Sequence, residues 1–208
     1  MSEKSNTHKV SEGLIIKALN SYFIGNCLYK LANAYIFKRD WESDFFVQKQ
    51  NYFSYEFEIK ISRADFFSDK KKITKHLILS DGKYMQKNRT FNKNYTCLDD
   101  MWNVTEKEHH HTFRPNKFFY VVPKDMITID ELPKYAGLFY YDAANEGDPL
   151  KKIKDAPFIH KEKLRFESVL CSKFYNYWLN AKSEINSLSS HLEYVRNQLN
   201  ELINKKEQ

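Results

Sequence analysis

Charged side chains alternate with apolar ones along residues 53–61, and their types suit the hydrolysis of a phosphodiester. A strand there would place Glu56, Glu58 and Lys60 on one face, with neighbours about 6.5–7 Å apart. Asp44 lies fourteen residues before Glu58, on another extended segment that a hairpin would bring alongside. This hydrolysis needs an activated water and neutralised phosphate charge, which carboxylates holding Mg²⁺ and a nearby ammonium group provide. The row and Asp44 are therefore the candidate site.

The segments around this row predict an α/β fold. Apolar residues recur every three or four positions from Ser11 to about Leu31, which predicts a helical region interrupted near Gly25. Ser62 and Asp65 form a capping pattern, so a helix should begin where the charged strand ends. Runs rich in Tyr, Phe, Ile and Val predict five strands, at 33–38, 43–48, 53–61, 118–122 and 137–141.

Residues 80–116 show no clear periodicity, which predicts a long surface loop or insertion with one short element around 97–104. The run from His109 to His111 suggests a metal site, but three consecutive side chains cannot all point at one ion from regular structure. A loop segment is therefore the favoured interpretation. Tyr84 and Phe91 could stack on unpaired bases, although packing is the commoner role of aromatic side chains.

The chain after Pro157 is predicted to be helical. Six apolar residues there step by three and four positions, the spacing that keeps one seam of a helix against a partner: Ile185, Leu188, Leu192, Val195, Leu199 and Leu202. About two and a half heptads are short for an independent coiled coil. The seam could join two copies or a partner protein, or fold back on the parent domain, and self-association is slightly preferred.

The composition indicates one folded catalytic domain with a modest appendage. Of 208 residues, 42% are hydrophobic and 16% aromatic, which excludes a disordered chain. No apolar run approaches the roughly 18 residues of a membrane span, and the polar N-terminus lacks a secretory signal. Cys27, Cys97 and Cys171 have no paired spacing, which argues against a disulfide framework or a zinc ribbon. We therefore expect a cytoplasmic protein without a membrane segment.

The net charge of +6 is unevenly distributed. Residues 60–93 hold ten Lys or Arg against three Asp, so the positive charge is concentrated beside the candidate site. Such a segment suits a polyphosphate partner through counterion release and steering. Without the neighbouring site, a solvated helix face would be the simpler explanation.

These residues resemble the PD-(D/E)XK nuclease superfamily, whose core runs helix, three strands, helix, strand. The Asp and the (Asp/Glu)-x-Lys of that superfamily match Asp44 and Glu58-Ile59-Lys60, with Ser43 in place of the usual Pro. The chain is more narrowly similar to the MmcB-like DNA-repair branch and related phage and prophage proteins. The matching segments are Glu-Ile-Lys-Ile-Ser-Arg-Ala-Asp-Phe at 58–66, Phe-Tyr-Val-Val-Pro at 119–123 and Ala-Gly-Leu at 136–138.

The resemblance implies a restriction-endonuclease-like mixed β-sheet flanked by helices over 10–160, with 80–116 as its insertion. A C-terminal helical extension over 161–208 would follow, carrying the heptad seam of 185–202. The implied activity is that of a Mg²⁺-dependent or Mn²⁺-dependent deoxyribonuclease in DNA repair, recombination or phage DNA processing. The implied location is a bacterial cytoplasm, or the host cytoplasm for a phage protein.

The resemblance also implies roles for individual residues. Asp44 and Glu58 would be metal ligands, Lys60 would contact the water or the scissile phosphate, and Glu12 would be a weaker additional ligand. Glu56 is a further carboxylate on the same face that could assist a second metal ion or pair with Lys60. If the duplex lies over the sheet, the predicted DNA contacts are Ser62, Arg63, Lys70, Lys71, Lys72, Lys75 and Arg89. Helix capping alone would also explain Ser62.

Three alternatives stay open. The charged row could be an ordinary ion pair on an exposed strand face, although such a row between sheet neighbours is costly to desolvate without metal or substrate. The chain could be a catalytically inactive nucleic-acid-binding or assembly module with the same fold. It could also act on RNA. Sequence preference is not predicted, because no helix-turn-helix or zinc-finger spacing occurs.

Overall fold

A computed structural model describes residues 10–38, 41–91, 93–94, 102–110 and 113–206. The chain divides into two compact units at the boundary between Leu164 and Arg165. The first unit contains all the candidate site residues, and the second contains one long helix.

Eight strands are described in the first unit. They are β1 (Tyr29–Lys38), β2 (Trp41–Gln48), β3 (Ser54–Ile59), β4 (Lys83–Phe91), β5 (Trp102–His110), β6 (Lys117–Pro123), β7 (Ala136–Tyr141) and β8 (Leu150–Lys154). Six of them form one sheet in the order β1-β2-β3-β6-β7-β8. The first three are mutually antiparallel, β3, β6 and β7 are parallel, and β8 is antiparallel to β7. The fold is thus mixed α/β, as the sequence predicts.

One face of this sheet is packed by helix α1 (Glu12–Tyr22). The helix buries Ile15 and Leu19, and these meet alternate positions of the central strands, because successive side chains of a strand point to opposite faces. The strand residues of this core are Phe45, Val47, Phe57, Ile59, Phe119, Val121, Phe139, Tyr141 and Leu150. The intervening residues, including Glu56 and Glu58, therefore face the other side of the sheet.

That other side is covered by α2 (Arg63–Ser68) and α3 (Ile73–Asp81), joined by a 3-10 turn at Asp69–Lys71. The Ser62 hydroxyl accepts a hydrogen bond from the Asp65 N–H at 3.2 Å, so the predicted cap is confirmed. The spacing of Phe66, Ile73 and Leu77 predicts that this helix continues, but Lys72 leaves the helical conformation at φ −79° and ψ 54°. This break redirects the chain, and it positions the basic side chains that follow.

The structure corrects two boundaries of the predicted elements. The opening helix ends at Tyr22, before Gly25 at φ 72°, and Leu31 lies in β1 instead of a second helical segment. A glycine in the left-handed region readily ends a helix, and the chain then turns to pair with β2. The five predicted strands are confirmed within a few residues, whereas β8 was not predicted.

Residues 83–91 and 102–110 form the antiparallel β4-β5 hairpin, where the sequence predicts a loop. The side chains of β4 are almost all exposed, so no apolar alternation marks it, and the pairing depends on backbone hydrogen bonds. His109 and His110 belong to β5, and the His109 ring stacks on Tyr84 at 5.3 Å, which is a packing role for both rings. His111 and most of the predicted element at 97–104 lie outside the described residues.

The second unit is helix α4 (Glu167–Lys206). The predicted C-terminal helix is therefore present, although it begins after residues 161–166, which are not helical. Among the described residues, no helix has both the length and the apolar character that a membrane crossing requires.

Candidate functional site

The two carboxylates of the hypothesis lie on one face of adjacent strands. Strands β2 and β3 pair Phe45 with Phe57 and Phe46 with Glu56, and one further step of this register sets Asp44 opposite Glu58. Directly opposed residues of an antiparallel pair share a face. The Asp44 Oδ2 accepts a hydrogen bond from the Ile59 N–H at 2.7 Å, which holds the carboxylate at the end of β3.

Glu58 is surrounded by three ammonium groups. Its Oε1 accepts from Lys60 Nζ at 2.9 Å and from Lys72 Nζ at 2.6 Å, and its Oε2 accepts from Lys75 Nζ at 2.6 Å. Burial alone would raise the pKa of Glu58, but Lys75 and the other two lysines outweigh that effect and lower it. Glu58 is therefore ionised at neutral pH.

Lys75 joins the two glutamates of the charged row. It is buried, it donates to Glu58, and it also donates to Glu56 Oε1 at 2.9 Å. The same oxygen of Glu56 accepts from Trp41 Nε1 at 2.6 Å. The sequence predicts Lys75 as a DNA contact on a helix surface. The structure instead buries its ammonium group between two carboxylates, because the break at Lys72 turns α3 toward the sheet.

Asp69 is a further member of the site that the sequence did not indicate. Its carboxylate accepts from the Tyr120 hydroxyl at 2.7 Å and lies 3.0 Å from Lys72 Nζ and 3.5 Å from Lys60 Nζ. Burial would raise the pKa of Asp69, but His76, Lys60 and other partners lower it well below its usual range. Asp69 directly follows α2 and precedes three lysines. No periodic pattern in this part of the sequence distinguishes Asp69 from an ordinary solvent-exposed residue.

Lys60 follows β3, and its backbone N–H donates to Val121 O at 3.0 Å. Burial alone would lower the pKa of Lys60, but Glu58, Asp69 and Asp65 raise it above its ordinary value. The side chain therefore stays protonated at neutral pH. It can donate hydrogen bonds and neutralise negative charge, but it is poorly suited to remove a proton from water.

The pKa of Asp44 is shifted in the opposite direction from that of Glu58. Burial and the nearby charge of Glu58 raise the pKa of Asp44 to about 7, although the Ile59 N–H and the cations of Lys75 and Lys60 oppose the shift. The carboxyl group is thus about half protonated at neutral pH. A strongly shifted carboxyl in a cleft is a candidate functional group.

A pocket of about 510 Å³ opens beside Asp44. Its walls come from β1, β2 and α3, and its cationic lining consists of Lys71, Lys72 and Lys75. Lys72 is 48% exposed at its side chain, so this lysine can leave Glu58 at little desolvation cost. The pocket is therefore a place where an anion could meet Asp44 and these lysines, whereas Glu58, the partner of Lys72 and Lys75, is buried.

The two carboxylates that the hypothesis assigns to a metal ion are Asp44 and Glu58. Mg²⁺ is usually held by one or two carboxylates together with water and phosphate oxygens, so the residue types of this pair suit Mg²⁺ or Mn²⁺. Both oxygens of Glu58 accept from lysines here, so a metal ion would have to displace at least one ammonium group, of which Lys72 is the most exposed. Within the described ranges, no group of three or more His, Cys, Asp or Glu is placed to hold a metal. Glu12 is exposed in the first turn of α1, which packs on the opposite face, so the structure does not bring it to Glu58.

The remaining predicted DNA contacts are distributed around this face. Arg63 donates to Met126 O at 2.7 Å and pairs with Glu131, whereas Lys70 and Lys71 are exposed. Arg89 is exposed on the β4-β5 hairpin, not in a loop. Their contacts with DNA stay predictions.

Comparisons with known proteins give a fold but no family. No family model and no curated protein matches this chain. A solved structure described as SPO1766, a protein of unknown function from Silicibacter pomeroyi, matches at a TM-score of 0.50 and 16% identity. The match covers 83% of this chain and 89% of the other. At this identity the likeness concerns the fold alone.

Proposed function

We propose that the protein is a Mg²⁺-dependent nuclease of the PD-(D/E)XK type that hydrolyses phosphodiester bonds in DNA. The observation that carries the proposal is the meeting of Asp44, Glu58 and Lys60 on one face of adjacent strands, beside a pocket with a cationic lining. Glu56, Glu58 and Lys60 are buried, so an ordinary ion pair on an exposed strand face does not account for this arrangement.

The order of elements supports the same proposal. Along the chain come a helix (α1), three antiparallel strands (β1 to β3), a helical segment (α2 and α3) and, after the β4-β5 hairpin, a strand parallel to β3 (β6). This is the order of the superfamily core that the sequence resembles. The carboxylates occupy the second and third strands, where the superfamily signature requires them.

Each residue has a role in this proposal. Asp44 and Glu58 would hold the metal ion, which when bound supplies positive charge and acidifies a water molecule. Lys60, protonated in the site, orients the attacking water or binds a nonbridging phosphate oxygen. Lys72 exchanges its ion pair with Glu58 for one with the substrate phosphate. Asp69 positions Lys60 and Lys72 through its ion pairs with both.

A cleavage assay tests the proposal. Purified protein with Mg²⁺ or Mn²⁺ should cleave single-stranded, double-stranded or branched DNA, and EDTA should stop it. The Asp44→Asn and Lys60→Met variants should each lose at least about a hundredfold in rate, because each removes charge from the reacting centre. Asp130→Asn, which alters an exposed carboxylate on another element, should cleave like the wild type.

A catalytically inactive binding module is the second candidate. The observation that favours it is the pairing of Glu58 with three ammonium groups, which satisfies the carboxylate without a metal. No cleavage of any DNA or RNA, together with DNA binding that neither EDTA nor Asp44→Ala alters, would select this candidate. Cleavage of RNA alone would retain the chemistry and change the substrate.

A further inference from the structure

Helix α4 carries an apolar seam almost twice as long as the one from Ile185 to Leu202. Because α4 is continuous from Glu167 to Lys206, the alternating steps of three and four residues can be followed back toward its start. Ten consecutive positions of this spacing are apolar: Cys171, Phe174, Trp178, Ala181, Ile185, Leu188, Leu192, Val195, Leu199 and Leu202. In heptad notation, Cys171 is an a position and Phe174 a d position, and the assignment continues unbroken to Leu202.

The seam is exposed, and the far side of the helix is polar. The eight large apolar side chains of the seam are between 48% and 69% exposed. The heptad positions opposite the seam are all Asn or Ser, namely Asn176, Ser183, Ser190, Asn197 and Asn204. A helix this asymmetric is expected to bury one side only.

The period of the seam points to another helix as its partner. A repeat of 3.5 residues stays in register with a second helix when the two wind into a left-handed supercoil, whereas the seam would drift around a single straight helix. The seam is about 46 Å long at the helical rise, and a helix is about 10–12 Å wide, so two facing seams bury on the order of 1,000 Å². That area reaches the lower bound of a specific interface.

We propose that α4 pairs with the α4 helix of a second copy of this chain, in antiparallel orientation. The sizes of the seam residues decide the orientation. A parallel pair would set Trp178 against itself and Ala181 against itself, so an overfilled layer would adjoin a void. The antiparallel pair instead joins Trp178 to Val195, Ala181 to Leu192, and Ile185 to Leu188 of the other copy.

The outer layers of the antiparallel pair also join a residue of one half of the seam to a residue of the other half. Phe174 meets Leu199, and Cys171 meets Leu202, so each layer combines one residue from either half of the seam. Glu184 and His191 flank the seam at g positions. In this orientation Glu184 of one copy comes next to His191 of the other. The pairing depends only on α4, and it would hold for a nuclease and for an inactive binding module alike.

Sedimentation equilibrium of the full chain tests the pairing. The wild type should have a mass near twice 24.9 kDa at micromolar concentration. Leu188→Asp should shift the mass to that of one chain, whereas Ser190→Asp, two residues away on the polar side, should leave the dimer intact. A monomeric wild type, a larger assembly, or a dimer that tolerates Leu188→Asp would overturn the proposal.

Disulfide trapping tests the orientation. In a chain with Cys27→Ser and Cys97→Ser, the added change Leu202→Cys should give a covalent dimer under mild oxidation, because a disulfide needs Cα atoms within about 7 Å. The same chain without Leu202→Cys should stay uncrosslinked, because the two Cys171 residues then lie about 46 Å apart along the helix axis. Efficient linking of Cys171 to Cys171 would show a parallel pair and overturn the antiparallel one.

Discussion

At the scale of single residues, Asp44 and Glu58 differ sharply although they face one another. Three lysines compensate the charge of Glu58, whereas Asp44 is held by one backbone N–H and feels the negative charge of Glu58. The raised pKa of Asp44 makes its ionised form costly to the fold. A residue that destabilises the protein where it carries charge is typical of a functional site.

This asymmetry predicts that Asp44→Asn stabilises the protein at alkaline pH. Because the pKa of Asp44 rises from 3.8 to about 7 on folding, its contribution to stability declines as pH rises through that window and stays low above it. The variant does not titrate, so its stability relative to the wild type should be higher at pH 8 than at pH 5 by roughly 2–3 kcal/mol. Urea denaturation at the two pH values measures the difference.

The control for this experiment is Asp130→Asn, at an exposed position. Its stability should follow that of the wild type at both pH values, within about 0.5 kcal/mol. An Asp44→Asn variant that is less stable than the wild type at pH 8 would show that the ionised carboxylate is favoured in the folded protein.

The raised pKa of Asp44 also predicts the pH dependence of metal binding. A carboxyl group must lose its proton before it can bind Mg²⁺ or Mn²⁺, so the apparent affinity should rise about tenfold per pH unit below pH 7 and level off above it. Titration calorimetry with Mn²⁺ at pH 6, 7 and 8 measures this. A flat profile would exclude Asp44 as a ligand.

Replacement of Lys75 should lower the stability of the protein, whereas Asp44→Asn should raise it. It neutralises two buried glutamates, so Lys75→Met leaves buried negative charge uncompensated and should cost about 3–5 kcal/mol of stability. Lys71→Met, four residues earlier and exposed, should change stability by less than about 0.5 kcal/mol. Thermal unfolding monitored by circular dichroism compares the two, and an equal effect of both would contradict a structural role for Lys75.

Some of the site was predictable from the sequence, and some was not. Strand alternation places Glu56, Glu58 and Lys60 on one face, and the resemblance adds Asp44. The contacts of Lys75 and Asp69 were not predictable, because they depend on the backbone at Lys72 leaving the helix, and the residue types there favour a continuous helix.

At the scale of the elements, the sequence predicts strands where one or both faces are buried. The central strands β2, β3, β6 and β7 have this property, and all four are confirmed. Exposed β4 and short, lysine-rich β8 have no apolar pattern, so propensity alone does not identify them. Their pairing depends on neighbours that the sequence does not reveal.

Gly137 of β7 predicts how tightly the α1 side of the sheet is packed. A Cβ added there would lie 2.4 Å from Phe119 Cδ1 and 2.7 Å from the backbone nitrogen of Ala156. Because a shift of the Ala156 backbone would disturb the packing around it, Gly137→Ala should lower the free energy of unfolding by at least about 2 kcal/mol. A urea titration measures this. Gly147→Ala is the matched control, since a Cβ there meets nothing within 4 Å, and it should be close to neutral. Equal stability of the two variants would show that β7 can shift.

At the scale of the whole molecule, the charge distribution bears on the proposed substrate. Two of the ten basic residues of segment 60–93 are not free to bind phosphate, because Lys60 and Lys75 are buried among carboxylates. The exposed lysines in or next to the pocket lining are Lys70, Lys71 and Lys72, and of these Lys72 is paired with Glu58 and Asp69. DNA binding should therefore depend on a few surface cations, and less on the net charge of +6.

The salt dependence of DNA binding tests that conclusion. Each phosphate contact adds nearly one unit to the slope of log affinity against log salt concentration, so a chain carrying Lys70→Gln and Lys71→Gln should lose roughly two units of slope. A chain with Lys17→Gln and Lys151→Gln has the same net charge, but the changes lie on α1 and β8, and its slope should match the wild type. Fluorescence anisotropy with EDTA present separates binding from cleavage.

If both double variants lose the same slope, binding follows net charge and the duplex does not lie over the pocket. If only the variant with Lys70→Gln and Lys71→Gln loses slope, the phosphates cross the same face as Asp44 and Glu58, where a nuclease requires them.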